Sequence, residues 1–275
     1  MRQLPLQHIR QLCRVPFRGG HLNVTSAPCG SAYSTRRNFA RQANLRSTVA
    51  QARKSLMLRE LASGKADMKE DDDDGSVPSV SKLEWESPLD IVRYPDPRLR
   101  AKNARIAVFD ESLKRLAAEM FEIMYRDEGV GLAAPQVGVN VRLMVYNPEG
   151  EKGKGREWIL VNPRLISSGK GTETMEEGCL SFQDASIDLY IRGDVSRPNT
   201  VKIKAQDENG AKVSLSLTDW QARIFQHEYD HLQGTLFHDR MNQEELQKVK
   251  PELIFMEKLF EKHNPGVQVQ SVSQP

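Results

Sequence analysis

Residues 226 to 232 read QHEYDHL, which places His227 and His231 four positions apart, with Glu228 directly after the first. Positions four apart share one face of an α-helix. Two imidazoles one turn apart bind a single divalent ion, and a carboxylate beside the first ligand reaches water near that ion as a general base. Two histidines alone hold a catalytic metal weakly, and catalytic sites commonly use three protein donors with one position left open. Cys179, in EEGCLSF, is the leading candidate for the third donor. Gly178 permits close backbone approach there, and a thiolate with two neutral imidazoles leaves a divalent ion at a net charge of about +1. A third segment, GVGLAAPQVG at residues 129 to 138, combines small residues with one amide, Gln136. It reads as a backbone wall for an extended ligand, with Gln136 offering an N–H to a developing oxyanion.

These residues need elements to hold them. Leu113, Leu116, Ala117, Met120, Phe121 and Met124 recur at helical spacing, with Asp110 as N-cap and Gly129 as stop, and predict a helix over 110–128. The segments at 141–146, 157–161, 200–205 and 212–217 are short, rich in β-branched residues and separated by Gly, Asn or Pro, as antiparallel strands are. The HExxH segment follows the last of them. Thr218 to Gln221 has the form of a capping box opening its helix, and Gly234 is placed to end it. Helix, strands, then helix predicts an α+β fold. In the C-terminal stretch, Leu253, Met256, Leu259 and Phe260 form the stripe of a further helix packed on the domain. Ile224 and Phe225, one turn before the ligands, are read either as walls of an apolar pocket or as core.

The chain carries 39 basic and 37 acidic residues in 275, a net charge of +2 that conceals two dissimilar parts. Residues 1–59 hold ten Arg and Lys54 with no Asp or Glu, a charge of +11; the rest holds 28 basic against 37 acidic residues, −9. An Arg-rich, acid-free, Ser/Thr-bearing leader is the composition of an organellar transit peptide, and Arg10, Arg14 and Arg18 interrupt any apolar core a secretory signal would need. The alternative is a basic tail that binds nucleic acid or acidic lipid. Residues 60–82, with the run DDDDGSVPS, read as a disordered acidic linker, 83–262 as one catalytic domain including the C-terminal helix, and 263–275 as a flexible tail. No stretch approaches the roughly 18 apolar residues of a membrane helix. Cys13 and Cys29 lie in the leader, so Cys179 is the one cysteine of the remaining chain.

Taken together, GVGLAAPQVG, EEGCLSF and QHEYDHLQG resemble the three signature motifs of peptide deformylases, in the same order and with similar separations, over about residues 88 to 262. With the leader, the chain is similar to the organellar deformylases of plants of the type closest to bacterial ones. The resemblance implies antiparallel β-sheets wrapped around a central helix carrying HExxH. It implies Cys179, His227 and His231 as metal ligands, Glu228 as general acid and base, Gln136 and the Leu180 N–H as oxyanion donors, and Gly131 as the backbone that pairs with the peptide. It further implies one divalent ion, Fe(II) first and Zn(II) as the alternative, and removal of the N-formyl group from N-formyl-methionyl nascent peptides. The expected partners are those peptides and, transiently, the ribosome, with no direct DNA binding and no membrane span. The chain is expected as a monomer or homodimer in the chloroplast stroma, with the mitochondrion or both as alternatives.

One segment departs from the family pattern. After EEGCLSF the chain continues with Gln183 and Asp184 where the family has Pro and a short connection, so 183–198 is longer by several residues, and Arg192 or Tyr190 is read as replacing a substrate contact. Two rival functions also fit parts of the sequence. A zinc endopeptidase shares HExxH, but its third ligand would have to be His238 or Asp239 downstream. A non-catalytic ribosome-associated module would use the C-terminal helix, where Lys250, Lys258 and Lys262 are offset by Glu252, Glu257 and Glu261.

Overall fold

A computed structural model of the chain describes residues 77–273. The transit-peptide reading of 1–59 and most of the linker reading lie outside the described residues. The linker's last residues do not stay unpaired: β1 (Ser79–Val80) lies parallel to β2 (Arg105–Ile106). Val80 packs against the core and Leu83 is buried in it, so the folded part begins a few residues before position 83.

Helix α1 (Glu111–Arg126) forms where the apolar periodicity placed it. The Asp110 side chain accepts from the Ser112 and Leu113 amides, satisfying N–H groups that a helix start leaves without partners. After it come β3 (Gly131–Ala133), a 3₁₀ turn (Ala134–Val137), β4 (Leu143–Tyr146) and β5 (Trp158–Ser168). A hairpin of β6 (Thr172–Asp184) and β7 (Leu189–Pro198) follows, then β8 (Thr200–Gln206) and β9 (Lys212–Thr218). The chain closes with α2 (Asp219–Leu232), a 3₁₀ turn (Phe237–Arg240) and α3 (Gln243–His263). One antiparallel sheet runs in the order β3-β4-β5-β8-β9, and β6 pairs with β7 alone.

The period-two alternation of a strand explains how the large sheet serves two layers. Leu143 and Val145 of β4 join the cluster around α1, while Met144 and Tyr146 join the cluster around α2. Helix α2 therefore lies between the sheet on one side and the hairpin on the other, the α+β arrangement expected. Ile224 and Phe225 are packed into the sheet-side cluster with Leu160 and Val201. Burial of each such side chain contributes about 1.5–3 kcal/mol.

Two boundary expectations need correction. Thr218 occupies the N-cap of α2 but its side chain makes no capping bond; the Asp219 N–H donates instead to the Asn199 carbonyl at 2.7 Å. Helix α3 begins at Gln243, earlier than the C-terminal stripe suggested, with Asn242 capping the Glu245 amide and Leu253 and Met256 buried. Gly234 ends α2 as expected: its φ of +69° suits glycine, and a Cβ there would sit 2.9 Å from the Arg100 carbonyl oxygen. The stretch after α3, expected as a flexible tail, folds back. Ser271 Oγ and the Val272 N–H both donate to Glu257 at 2.7 Å.

Candidate active site

Helix geometry brings His227 and His231 to one face of α2, with ring centroids 5.3 Å apart. Cys179 arrives from the hairpin, through an irregularity in its ladder. Gly178 pairs with Arg192 and Gln183 with Tyr190, so four residues, 179 to 182, stand opposite a single residue of β7. That bulge takes Cys179 and Leu180 out of the ladder: the Cys179 thiol faces α2, and Leu180 packs into the cluster around α1. The far side is tied down where the Tyr94 N–H donates to the Ser181 carbonyl at 2.8 Å.

Cys179, His227 and His231 are all buried, and one donor atom from each lies within 4.8 Å of the others; Cys179 Sγ is 3.3 Å from His231 Nε2. Ligand atoms around a tetrahedral ion at about 2.0–2.3 Å stand roughly 3.5 Å from one another, so the trio fits such an ion with little adjustment. His227 Nε2 is buried with no hydrogen-bond partner, the state of an atom meant for a ligand. Burial opposes a charged His227 ring, yet Cys179 and Glu177 on either side hold it well above the usual histidine range. His231 is pushed well below that range by burial first and by the nearby His227 charge, which keeps it a neutral donor.

The residue that orients His227 is Glu177. Its carboxylate accepts from His227 Nδ1 at 2.9 Å, from Arg197 Nε and Nη2 at 2.6 and 2.9 Å, and from Arg223 Nη1 at 2.6 Å. Arg197 continues to Asp230 at 2.7 Å, and Asp230 to Arg240 at 2.6 Å. Burial would raise the Glu177 carboxyl, but Arg197 and His227 hold it well below the ordinary carboxylate range. A carboxylate on Nδ1 fixes the tautomer and leaves Nε2 to face a metal. Sequence reasoning quoted Glu177 inside its motif and assigned it nothing; the ionic pairing that reveals it spans 20 to 50 positions of chain. His231 has no such anchor, and its Nδ1 is buried without a partner.

Glu228 is buried beside β3, and burial above all raises its carboxyl to about 7. A Cβ on Gly131 would stand 2.5 Å from Glu228 Oε1, so glycine is what allows the carboxylate to abut the strand. Gln136 sits in the turn after β3. Its Oε1 accepts from the Ala133 N–H at 2.8 Å, which aims Nε2 at Cys179 Sγ and Ser181 Oγ, each 3.4 Å away. The fold thus gathers all three motifs at one place. His238 and Asp239 do not join them: His238 packs against Tyr94 and Phe182, and Asp239 bonds to Arg100.

This geometry has close counterparts. Residues 88–247 match the family model for polypeptide deformylase. The chain is 50% identical over 188 residues to peptide deformylase 1B, chloroplastic/mitochondrial, of Arabidopsis thaliana, covering 68% of this chain and 67% of that one. It is 41% identical over 166 residues to the peptide deformylase of the bacterium Rhodopirellula baltica, covering 60% and 79%. Among solved structures, a plant peptide deformylase PDF1B matches with a TM-score of 0.65 and 49% identity, covering 69% of this chain and all of that one. The Plasmodium falciparum enzyme matches with a TM-score of 0.59 and 40% identity, covering 65% of this chain and all of its own. The chain belongs to the peptide deformylase family, metal-dependent hydrolases that remove N-formyl groups from nascent peptides.

Proposed function

We propose that this chain removes the N-formyl group from the N-terminal formyl-methionine of polypeptides made in an organelle. The observation that carries the reading is the convergence of Cys179, His227 and His231 next to a buried Glu228 whose carboxyl lies near 7. Cys179, His227 and His231 would hold one divalent ion, which supplies Lewis acidity and lowers the pKa of nearby water. Fe(II) is the proposed ion and Zn(II) the alternative, since a Cys/His₂ set suits both.

The chain's own groups do the rest. Glu228, poised near neutrality, accepts a proton from the attacking water and returns it to the departing amine nitrogen. Gln136 Nε2 and the Leu180 N–H, freed from the ladder by the bulge, donate to the oxygen of the tetrahedral intermediate. Gly131 pairs with the substrate backbone along β3. Glu177 keeps the His227 ring in place throughout.

Residues 1–59 are proposed as a transit peptide and 60–76 as linker, with the chloroplast stroma as first destination and the mitochondrion or both as alternatives; relatives named chloroplastic or chloroplastic/mitochondrial support an organelle. A fluorescent protein fused after residue 65 should enter an organelle, and cytosolic fluorescence would contradict this. No helix among the described residues is long and apolar enough to cross a membrane. The function itself is tested by anaerobic purification with metal analysis and formate release from formyl-Met-Ala. Stoichiometric metal with formate release is expected; cleavage of internal peptide bonds without formate would favour the endopeptidase.

A further inference from the structure

Residues 179–182 leave the β6–β7 ladder, and the lengthened hairpin beyond them does not reach back to hold them. Arg192, read from sequence as a substitute substrate contact, is engaged on the hairpin itself: it pairs with Glu176 at 3.3 Å and stacks on the Tyr190 ring, 4.5 Å from its centroid. The bulge is held from its other side. Cys179 shares a core cluster with Tyr94, Phe182, Phe237 and the α3 residues Val249, Leu253 and Met256. The Tyr94 N–H donates to the Ser181 carbonyl at 2.8 Å, and two residues earlier the Val92 N–H donates to the Gln136 carbonyl at 2.7 Å. Segment 92–94 therefore bridges the two elements that carry Gln136 and the Leu180 N–H, and it fixes their spacing.

Tyr94 ties that segment to the rest of the molecule. Its buried ring stacks on Phe182, with centroids 4.8 Å apart and planes at 21°. Phe182 in turn meets Phe237 edge-on at 4.8 Å, and the Phe237 ring lies 6.2 Å from that of His227. At its outer end the Tyr94 hydroxyl donates to Glu257 of α3. Glu257 is itself fixed, because the Ser271 hydroxyl and the Val272 N–H both donate to it at 2.7 Å. Burial first, and the Glu257 carboxylate with it, hold the phenol well above its ordinary range, so it remains a neutral donor. A buried phenol needs a partner for its O–H. Here that partner is one immobilised carboxylate, which leaves the ring little freedom to slide against Phe182.

We propose that Tyr94 is a positioning residue for this reaction: anchored through its hydroxyl on Glu257, it holds Cys179 at the metal site and keeps Gln136 Nε2 and the Leu180 N–H at the separation that receives the tetrahedral oxygen. It acts through Ser181 and Phe182. This rests on the deformylase reading and the ligand set above. Helix α3, which supplies Glu257, thereby bears on the chemistry of a site whose ligands lie on other elements.

The test is a double-mutant cycle on the full chain. It is read by Co(II) affinity in chelator competition, by the charge-transfer band of the Cys179 thiolate on Co(II), and by formate release from formyl-Met-Ala. Tyr94→Phe keeps the ring and removes only the anchor. It should shift the band, weaken Co(II) binding about tenfold and lower kcat about tenfold, the low end of what loss of a group supporting a ligand costs, with KM within about twofold of the parent. Glu257→Ala should do the same, and the double variant should be no worse than either single one, because both cut one link. Glu257→Gln keeps an oxygen to accept the hydroxyl and should retain the parent's Co(II) affinity. Urea unfolding on the same preparations separates positioning from stability. A Tyr94→Phe chain that is less stable but has the parent's Co(II) affinity, band and kcat would overturn the proposal, as would additive losses in the double variant. A wild-type chain that binds Co(II) and releases no formate would overturn the deformylase reading itself.

Discussion

Glu177 and His227, fifty positions apart in the chain, meet in the interior with Oε2 2.9 Å from Nδ1, and two arginines converge on the same carboxylate. That contact leaves Nε2 as the His227 nitrogen available to the candidate metal site with Cys179 and His231. The centre is therefore held by a buried ionic network as well as by its ligands.

Removing the carboxylate should weaken the site without touching a ligand. Glu177→Gln is expected to lower metal affinity by about 10- to 100-fold, as loss of a carboxylate behind a ligand histidine commonly does. It also leaves Arg197 and Arg223 short of a buried anion, at a cost of roughly 3–5 kcal/mol. Chelator competition and urea unfolding on one preparation measure both. Wild-type metal affinity would show that Glu177 serves only the arginines.

Gly131→Ala tests the close approach of β3 to Glu228. The added Cβ would stand 2.5 Å from Oε1 of a carboxylate that is itself buried and has little room to retreat. The variant should keep its metal while kcat/KM falls by about 100-fold, the scale of a displaced catalytic group. Metal analysis beside steady-state kinetics checks it, and near-normal turnover would mean that the carboxylate moves freely.

His238 predicts how stability responds to acid. Burial lowers its pKa from the ordinary 6.5 to about 4, with the Arg100 charge adding to the effect and Asp239 opposing it. Between those values the unfolded chain binds the proton and the folded one does not. Stability contributed by the neutral ring is thus complete above about pH 6.5 and is lost as pH falls toward about 4, by roughly 3 kcal/mol in total. His238→Phe should flatten that part of the profile in urea unfolding at pH 7.5, 6 and 5. An unchanged slope would assign the acid sensitivity to other groups.

Much of the scaffold was legible because its signals are local. The apolar spacing from Leu113 to Met124 marked α1, and the short β-branched runs at 200–205 and 212–217, set off by Gly, Asn or Pro, marked β8 and β9. The ligand spacing in HEYDH marked the face of α2. The β6–β7 hairpin escaped notice as strands because Thr172 to Glu176 is polar and largely exposed and because the bulge at 179–182 breaks the alternation further on. Ile224 and Phe225 show the opposite limit: a helix buried on most of its circumference leaves no periodicity to separate pocket wall from core. The roles of Glu177, Arg197 and Arg223 exist only through long-range pairing, which neither composition nor spacing encodes. Site roles for Leu180 and Gly131 came from family resemblance, and the structure adds a physical setting for each: the bulge for Leu180 and the approach of Glu228 for Gly131.

The division of labour between metal ligands and Glu228 is the centre of this account, and Glu228→Ala measures it most directly when metal content and kcat for formyl-Met-Ala are determined on the same anaerobic preparation. The carboxylate is expected to carry protons and to hold no metal. The variant should retain metal at close to the parent's stoichiometry while kcat falls by about 10²- to 10⁴-fold, the usual contribution of general acid–base catalysis. A kcat within a few-fold of the parent, or loss of the metal together with activity, would contradict it.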